Sequence, residues 1–247
     1  TRTSVYSQPR DVFRCLPRTC GNRALFKDGL NSGINHLFAY PKSMTLKEIR
    51  ILVLVFIASL PGLARAAVPL SATEVNPIEV GNTVPEATLH NAGGGSVELS
   101  ELLSEQAAVI VFYRGGWCPY CNTHLSELAE IEPELRDQGY RIIAISPDRP
   151  EKIAEASEVG DYAYELYSDS EMEAAKAFGL AFKLDVPTLS KLEGYGIDVE
   201  AASGQKHNLL PVPAVFVIEK TGLVSFRYYN PDYRERLSGA ALLKAIR

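Results

Sequence analysis

Apolar and polar positions along the chain predict strands that alternate with helices. Continuous apolar runs at 107–113 ("AAVIVFY") and 140–148 are typical of strands buried on both faces. Leucines at helical spacing predict a helix over 119–138. Two more helices are predicted over 150–160 and 239–246. We therefore expect an α/β domain whose central sheet is mixed but mostly parallel and is covered by helices on both faces.

One long stretch breaks this alternation. Residues 181–210 are too long for a plain connection in a compact domain, so we expect an insertion with a helical turn of its own. The remaining predicted elements are short: strands at 164–169, two strands about a Thr221-Gly222 turn, a helix at 171–179, and two strands about the glycines at 93–95.

The start of the chain predicts a leader rather than part of the fold. Residues 1–43 precede the first methionine, Met44, and are rich in Arg and poor in acids. From Met44 a short basic start leads into the apolar run 51–60, which is followed by a small-x-small motif at 64–66. These three regions in this order are the signature of a cleaved secretory signal.

Cleavage after Ala66 makes 44–66 the signal peptide and 67–247 the mature domain. We then expect a secreted or periplasmic protein without stable membrane association. A membrane anchor is the first alternative, but the apolar run reaches only about half of the ~20 residues that span a bilayer. An organelle transit peptide is the second, because 1–43 are Arg-rich.

Charge excludes some partners. The chain has 25 Lys+Arg against 30 Asp+Glu, and residues 1–66 contain 10 of the former and 3 of the latter. Residues 67–247 therefore have 15 basic and 27 acidic side chains, a net charge near −12. Such a surface disfavours binding to nucleic acid and to anionic membranes.

The mature region contains only two cysteines, Cys118 and Cys121, because Cys15 and Cys20 belong to the leader. The strand ending in Gly-Gly-Trp places Cys118 at a helix N-terminus, where free N–H groups favour a thiolate. Cys121 follows almost one turn later on the same face. The spacing thus predicts a nucleophile and a second thiol that resolves its adduct.

Two other uses of a Cys-x-x-Cys motif are weaker. Zinc needs two more Cys or His ligands, whereas His90, His124 and His207 are far apart in sequence and lack that spacing. A purely structural disulfide across so short a loop removes little chain entropy. We therefore predict no metal site.

The motifs around the cysteines resemble a known family. The order strand, "WCPYC", helix and later "PVPAVFVIEKTG" is similar to the thioredoxin fold. Together with "FYRGGWCPYCN" and "NPDYRERL", it resembles peroxiredoxin-like members of the alkyl hydroperoxide reductase/thiol-specific antioxidant (AhpC/TSA) family. The resemblance covers about residues 76–246 and includes the end of the insertion, "NLLPVP".

This resemblance implies an antioxidant thiol oxidoreductase without a cofactor. Cys118 would reduce a peroxide and become a sulfenic acid, Cys121 would condense with it to a disulfide, and an external dithiol such as a thioredoxin-like protein would reset the pair. The resemblance also implies that Pro213, preceded by Val212, is the cis proline that faces the cysteines in thioredoxin folds.

The chain departs from the peroxiredoxin motif Pro-x-x-x-Thr-x-x-Cys. Val111 and Gly115 occupy the Pro and Thr positions, and Pro213 replaces the Arg at the head of the later strand, so that Arg114 or Arg227 is the candidate substitute. These departures leave an alternative open: a thiol–disulfide oxidoreductase that acts on protein disulfides. A third alternative is a binding module that retains only the fold.

Three neighbours of the cysteines are supporting candidates. We expect Trp117 to pack against the active site and shape the substrate surface, the alternative being a simple core residue. Arg114 would stabilise the Cys118 thiolate, or else be an ordinary surface Arg. His124 is expected at a solvated helix position rather than as a proton shuttle.

Overall fold

The computed structural model describes residues 67–160 and 162–247. The predicted leader and signal peptide at 1–66 lie outside these residues. None of the helices within the described ranges is long and apolar enough to cross a membrane.

The described residues contain nine strands and seven α-helices, besides one short 3-10 turn. The strands are β1 (Thr88–His90), β2 (Ser96–Glu98), β3 (Ala107–Phe112), β4 (Tyr140–Ser146), β5 (Glu165–Ser168), β6 (Ala181–Lys183), β7 (Leu209–Pro211), β8 (Ala214–Ile218) and β9 (Val224–Tyr229). The helices are α1 (Leu99–Glu105), α2 (Pro119–Asp137), α3 (Pro150–Gly160), α4 (Glu173–Ala177), α5 (Val186–Gly194), α6 (Val199–Ser203) and α7 (Gly239–Ile246).

Seven strands form one central sheet in the order β2-β1-β5-β4-β3-β8-β9. The α/β fold with a mixed central sheet is confirmed, but the expectation of a mostly parallel sheet is wrong. Only two of the six strand pairs, β3–β4 and β4–β5, are parallel, and the other four pairs are antiparallel. Two of the antiparallel pairs, β1–β2 and β8–β9, are hairpins, and strands joined by a tight turn must be antiparallel.

Helices cover both faces of this sheet, as predicted. Alternate residues of β3 point to opposite sides, so that Ile110 and Phe112 pack with α1 and α4 while Val109 and Val111 pack with α2, α3 and α7. Burial on both faces explains why β3 and β4 are continuous apolar runs in the sequence. The end of β3 is therefore fixed from two sides, and the loop that follows it starts from a rigid base.

The segment at 181–210 contains two helices, α5 and α6, rather than a single helical turn. Strands β6 and β7 pair antiparallel at its two ends, with Ala181 opposite Pro211. Its apolar side chains form a small core of their own, made of Leu184, Leu192, Val199 and Leu210.

The predicted helix at 119–138 is confirmed as α2, a helix of 19 residues that Pro133 does not terminate. Proline also begins this helix, since Pro119 occupies its first turn, where no backbone N–H is needed. Helix α2 thus starts directly after Cys118.

Candidate active site

The loop between β3 and α2 has a shape that requires glycine. Gly115 has φ +146, a conformation that residues with a Cβ rarely adopt. A Cβ at this position would clash with Trp117 Nε1 and lie 2.8 Å from Asp148 Oδ1. The Gly115 carbonyl accepts from Cys118 N at 3.1 Å, which closes the turn and presents Cys118 to the helix end.

Cys118 is the N-cap residue of α2, as the sequence predicts, and its side chain makes no capping hydrogen bond. Its carbonyl accepts from Cys121 N at 3.0 Å and from Asn122 N at 3.1 Å, which begins the helix. Both cysteines are free thiols. Both are also buried, with 1% of Cys118 and 0% of Cys121 exposed.

The two thiols differ in acidity. A hydrogen bond from the Cys121 side chain lowers the pKa of Cys118 to about 6, against the opposing effect of burial and with help from the charges of Arg114 and Arg236. Burial, with the neighbouring Cys118, raises the pKa of Cys121 well above its usual value. At neutral pH the pair therefore holds one thiolate, on Cys118, and one thiol, on Cys121.

Arg114 and Trp117 lie together beside the cysteines. The Arg114 guanidinium stands over two rings, 5.0 Å from the centroid of Trp117 and 4.2 Å from that of Tyr233. Tyr233 also meets Tyr120 edge to face at 5.8 Å. Arg114 is buried rather than on the surface, and Trp117 packs on both the core around the cysteines and the core of the 181–210 segment.

The loop between β9 and α7 lies against Cys121 and helix α2, and we call its residues, 230–238, the strap. Arg236 Nη2 in the strap lies 3.5 Å from Cys121 Sγ. His124 Nε2 donates to Leu237 O at 3.1 Å. His124 is buried, so the expected solvated position is wrong; burial lowers its pKa to about 4, and at neutral pH it is uncharged.

The opposite side of the Cys118 turn is held by Asp148, which follows β4. Its Oδ2 accepts from Gly116 N at 2.6 Å, and Asn122 Nδ2 donates to Gly116 O at 2.8 Å. Asp148 is buried, and burial raises its pKa to about 6 in spite of the Gly116 hydrogen bond.

A cleft of about 790 Å³ opens on this Asp148 side. Trp117 and Asp148 line its inner end, α3 forms one wall, and the turn at 196–198 together with α6 forms the other. The 181–210 segment thus packs on Trp117 and also lines this open cleft beside the active site.

Two further residues were indicated by the sequence, Pro213 and Arg227, and only Pro213 lies near the cysteines. Pro213 lies directly before β8, whose first residue, Ala214, pairs with Phe112 at the end of β3. Pro213 also lines a small crevice with His124 and Arg236. Arg227 is not at the site: its guanidinium donates to Pro77 O and Ile78 O and pairs with Glu79 at 2.8 Å.

Sequence reasoning missed Arg236, Tyr233 and Asp148. The first two lie inside "NPDYRERL", a segment that the pattern singled out without indicating which side chain turns toward the cysteines. Asp148 ends the "YRIIAISPD" run, and a charged residue directly after a buried strand was a usable signal. Within the described ranges, no cluster of three or more His, Cys, Asp or Glu side chains could hold a metal ion.

Comparison with known protein families decides the relationship. The model of the AhpC/TSA family matches residues 80–227, which include both cysteines and most of the central sheet. The chain belongs to the AhpC/TSA family.

Relatives with known names place this AhpC/TSA protein near bacterial peroxiredoxins. A Haemophilus influenzae relative that bears the name peroxiredoxin bcp is 34% identical over 106 residues, which cover 43% of this chain and 68% of that protein. The thiol-disulfide oxidoreductase ResA of Bacillus thuringiensis is 24% identical over 66% of this chain and 76% of its own. The protein is thus a thiol-based oxidoreductase of the peroxiredoxin type.

Solved structures agree on the fold. Reduced Prx3 of Vibrio vulnificus, crystallised in complex with hydrogen peroxide, superposes with a TM-score of 0.56 at 19% identity and covers 69% of this chain and 99% of its own. This AhpC/TSA protein therefore has the thioredoxin-like fold of the peroxiredoxins.

Proposed function

We propose that the protein reduces peroxides with Cys118 as the nucleophile and Cys121 as the resolving thiol. The Cys118 thiolate attacks one peroxide oxygen, the O–O bond breaks, and the other oxygen leaves as an alcohol or water after taking up a proton. Cys118 is then a sulfenic acid. Cys121 attacks its sulfur, water leaves, and a Cys118–Cys121 disulfide remains.

The observation that carries this proposal is the asymmetry between the two thiols. Cys118 caps helix α2 and has its pKa lowered to about 6, whereas burial raises the pKa of Cys121. Because the thiolate is the reactive form, the first attack belongs to Cys118. Cys121 acts second, once a sulfenic acid stands beside it.

An external dithiol completes the cycle by reducing the disulfide through two successive exchange steps. Family membership supports a peroxide as oxidant and a thioredoxin-type protein as reductant. The net charge near −12 of residues 67–247 favours a reductant whose docking surface is not strongly acidic.

The test compares two serine variants of the full chain, both made with Cys15→Ser and Cys20→Ser so that only the active-site thiols remain. We expect Cys118→Ser to abolish the reaction with hydrogen peroxide. Cys121→Ser should react at least once and accumulate a sulfenic acid, trapped by dimedone and located by peptide mass spectrometry at Cys118. Dimedone on Cys121 in Cys118→Ser would reverse the assignment.

The pH dependence provides a further check on the nucleophile. Since the pKa of Cys118 is lowered to about 6, the thiolate fraction and the peroxide rate should rise with pH through that value and then level off. A rate that rises only near pH 8 to 9 would mean an ordinary thiol.

A second candidate, thiol–disulfide exchange on proteins, is favoured by the missing Thr at Gly115 and by the similarity to ResA. Stopped-flow fluorescence of Trp117, the only Trp of the chain, separates the two candidates. A peroxide rate orders of magnitude above that of a free thiol supports the peroxidase. A peroxide rate no better than that of a free thiol, with fast reduction of a protein disulfide, supports the second candidate.

We propose a secreted or periplasmic location, with the pattern at 44–66 as its support. Mass spectrometry of the N-terminus of the native protein tests this. A terminus at Ala67 is the expected result, and a native chain that retains 44–66 would contradict it.

A further inference from the structure

The side chain of Arg236 reaches the second cysteine of the pair. Arg236 Nη2, in the strap, donates a hydrogen bond to Cys121 Sγ, in the first turn of α2, at 3.5 Å. Cys121 is fully buried, with 0% of its surface exposed. A charge acts more strongly on such a sulfur than on an exposed one, because little water screens the interaction. Arg236 is therefore placed to change the reactivity of Cys121.

The neighbouring titratable groups are neutral and do not oppose this contact. Tyr113, directly after β3, and Tyr162, after α3, have their pKa values raised by burial, so both are uncharged at neutral pH. His124, about one turn further along α2, is uncharged because burial lowers its pKa to about 4. The charge near Cys121 that changes during the reaction is thus that of Cys118.

The pKa of Cys121 depends on the state of Cys118. In the reduced pair, burial raises this pKa most, and the hydrogen bond with Cys118 and the charge of Cys118 raise it further. The backbone N–H of Arg114 and the charge of Arg236 lower it. Oxidation of Cys118 to a sulfenic acid removes the thiolate charge, so the two lowering contacts then oppose little besides burial. Cys121 is therefore a stronger acid after the first step than before it.

The two arginines of the site act mainly on different sulfurs. Arg114 contributes more than Arg236 to the low pKa of Cys118. At Cys121 the order is different, because Arg114 contributes its backbone N–H and Arg236 contributes its charged side chain. The structure thus provides each thiol with a cation of its own.

We propose that Arg236 is a catalytic residue of the second step: its guanidinium stabilises the negative charge on Cys121 while this sulfur attacks oxidised Cys118. Cys121 gives up its proton, and its electron pair forms the S–S bond. The S–O bond of the sulfenic acid breaks, and the oxygen leaves as water with that proton. The inference rests on the proposed function, since it assigns a group to the second of its steps.

Rapid mixing with dithiobis(nitrobenzoate), an aromatic disulfide, isolates this second step. The protein is the reduced full chain with Cys15→Ser and Cys20→Ser. The Cys118 thiolate attacks the reagent and releases one thionitrobenzoate, and Cys121 then attacks the mixed disulfide at Cys118 and releases a second. Absorbance follows both releases, and Cys121→Ser should show only the first. Because the reagent replaces the peroxide, a failure of the peroxide reaction does not affect the result.

The rate of the second release, measured against pH, reports the ionisation of Cys121 while Cys118 is blocked. We expect Arg236→Gln to raise the midpoint of this profile by about one pH unit, because a cation at hydrogen-bond distance is lost. A less acidic thiol also gives a more nucleophilic thiolate. The variant should therefore be about threefold slower than wild type below both midpoints and about threefold faster above both. Equal midpoints in the two proteins would overturn the proposal.

Arg236→Lys separates charge from a purely structural role. It keeps a cation beside the sulfur, and its midpoint should lie closer to that of the wild type than to that of Arg236→Gln. If Arg236→Gln were slower by one constant factor at every pH, Arg236 would only hold Cys121 in position, and the proposal would be wrong.

Arg234→Gln is the matched control, because Arg234 lies two residues away and pairs with the exposed Asp232 at 2.7 Å. It should keep the wild-type profile, and a shift equal to that of Arg236→Gln would contradict a specific role of Arg236. Asp148, with a pKa of about 6, titrates in all these proteins alike. A first release that persists in Cys118→Ser would instead overturn the proposed nucleophile, whereas an unshifted midpoint overturns only the role of Arg236.

Discussion

The two sides of the Cys118 turn are built differently. On the strap side, Arg114, Tyr120 and Tyr233 meet through ring faces and edges, and Tyr233 is 36% exposed. On the Asp148 side, a buried carboxyl group accepts the Gly116 backbone N–H at 2.6 Å. Contacts with a partly exposed aromatic ring are individually weak, whereas a buried, charge-assisted hydrogen bond is costly to break.

From this difference we expect the site to have one fixed wall, on the Asp148 side, and one movable wall, on the strap side. The Asp148 side holds the shape of the turn, and with it the position of Cys118 at the start of α2. The strap side carries Arg236, whose Nη2 lies 3.5 Å from Cys121 Sγ.

Substitution of Gly115, in the fixed wall, is expected to cause the largest loss of stability. In Gly115→Ala the new Cβ meets Trp117 and Asp148, and we expect about 4 kcal/mol lower stability, of which about 1–2 is the cost of positive φ alone. Chemical denaturation measures the loss. Gly94→Ala is the control, because Gly94 has φ +81 and open space around it, so its cost should stay near about 1 kcal/mol.

The Asp148→Asn variant tests the same wall through the pH dependence of its stability. Because the folded pKa of Asp148 is raised to about 6 from 3.8, the folded state binds the proton more tightly, and stability is lost as pH rises from about 4 through 6. Relative to the Asn variant, wild type should lose about 3 kcal/mol between pH 4 and pH 7. The measurement is the free energy of unfolding of both proteins at each pH.

A second buried aspartate, Asp169, also has its pKa raised by burial, to about 7. Asp169 titrates in the wild type and in the variant alike, so its contribution cancels in the difference between their free energies of unfolding. A constant difference between the two proteins across this pH range would show that Asp148 does not titrate in it.

Substitutions in the movable wall should reduce stability the least. Tyr233→Ala removes the contacts with Arg114 and Tyr120, and we expect a loss of about 1 kcal/mol, with faster amide exchange confined to 230–238. Tyr195→Ala is the control, because Tyr195 is 69% exposed on the 181–210 segment. If Tyr233→Ala lost as much stability as Gly115→Ala, the two walls would not differ in rigidity.

The sequence was enough to predict the elements that depend on local pattern. Helices α3 and α7 have the predicted bounds, because proline begins α3 and apolar spacing marks α7. The same is true of Cys118 at the start of α2. The share of parallel strands was misjudged, because the outer strands come from hairpins whose position in the sheet no local pattern reveals.

The surroundings of the cysteines could be predicted only in part, for a physical reason. Arg114 and Trp117 are close in sequence to Cys118 and were found. Asp148 follows the next strand, β4, and Arg236 is 115 residues from the thiol it meets. Such contacts arise from the packing of whole elements, which neither periodicity nor spacing encodes.

The pairing of β6 with β7 has a consequence for protein engineering. Ala181 and Pro211 face each other across this short ladder, so the segment between them leaves and re-enters the domain at nearly one point. Such a segment is exchangeable: another cap of suitable end-to-end distance could be grafted onto the same two strands. The chain thus offers a replaceable module that packs on Trp117, next to Cys118.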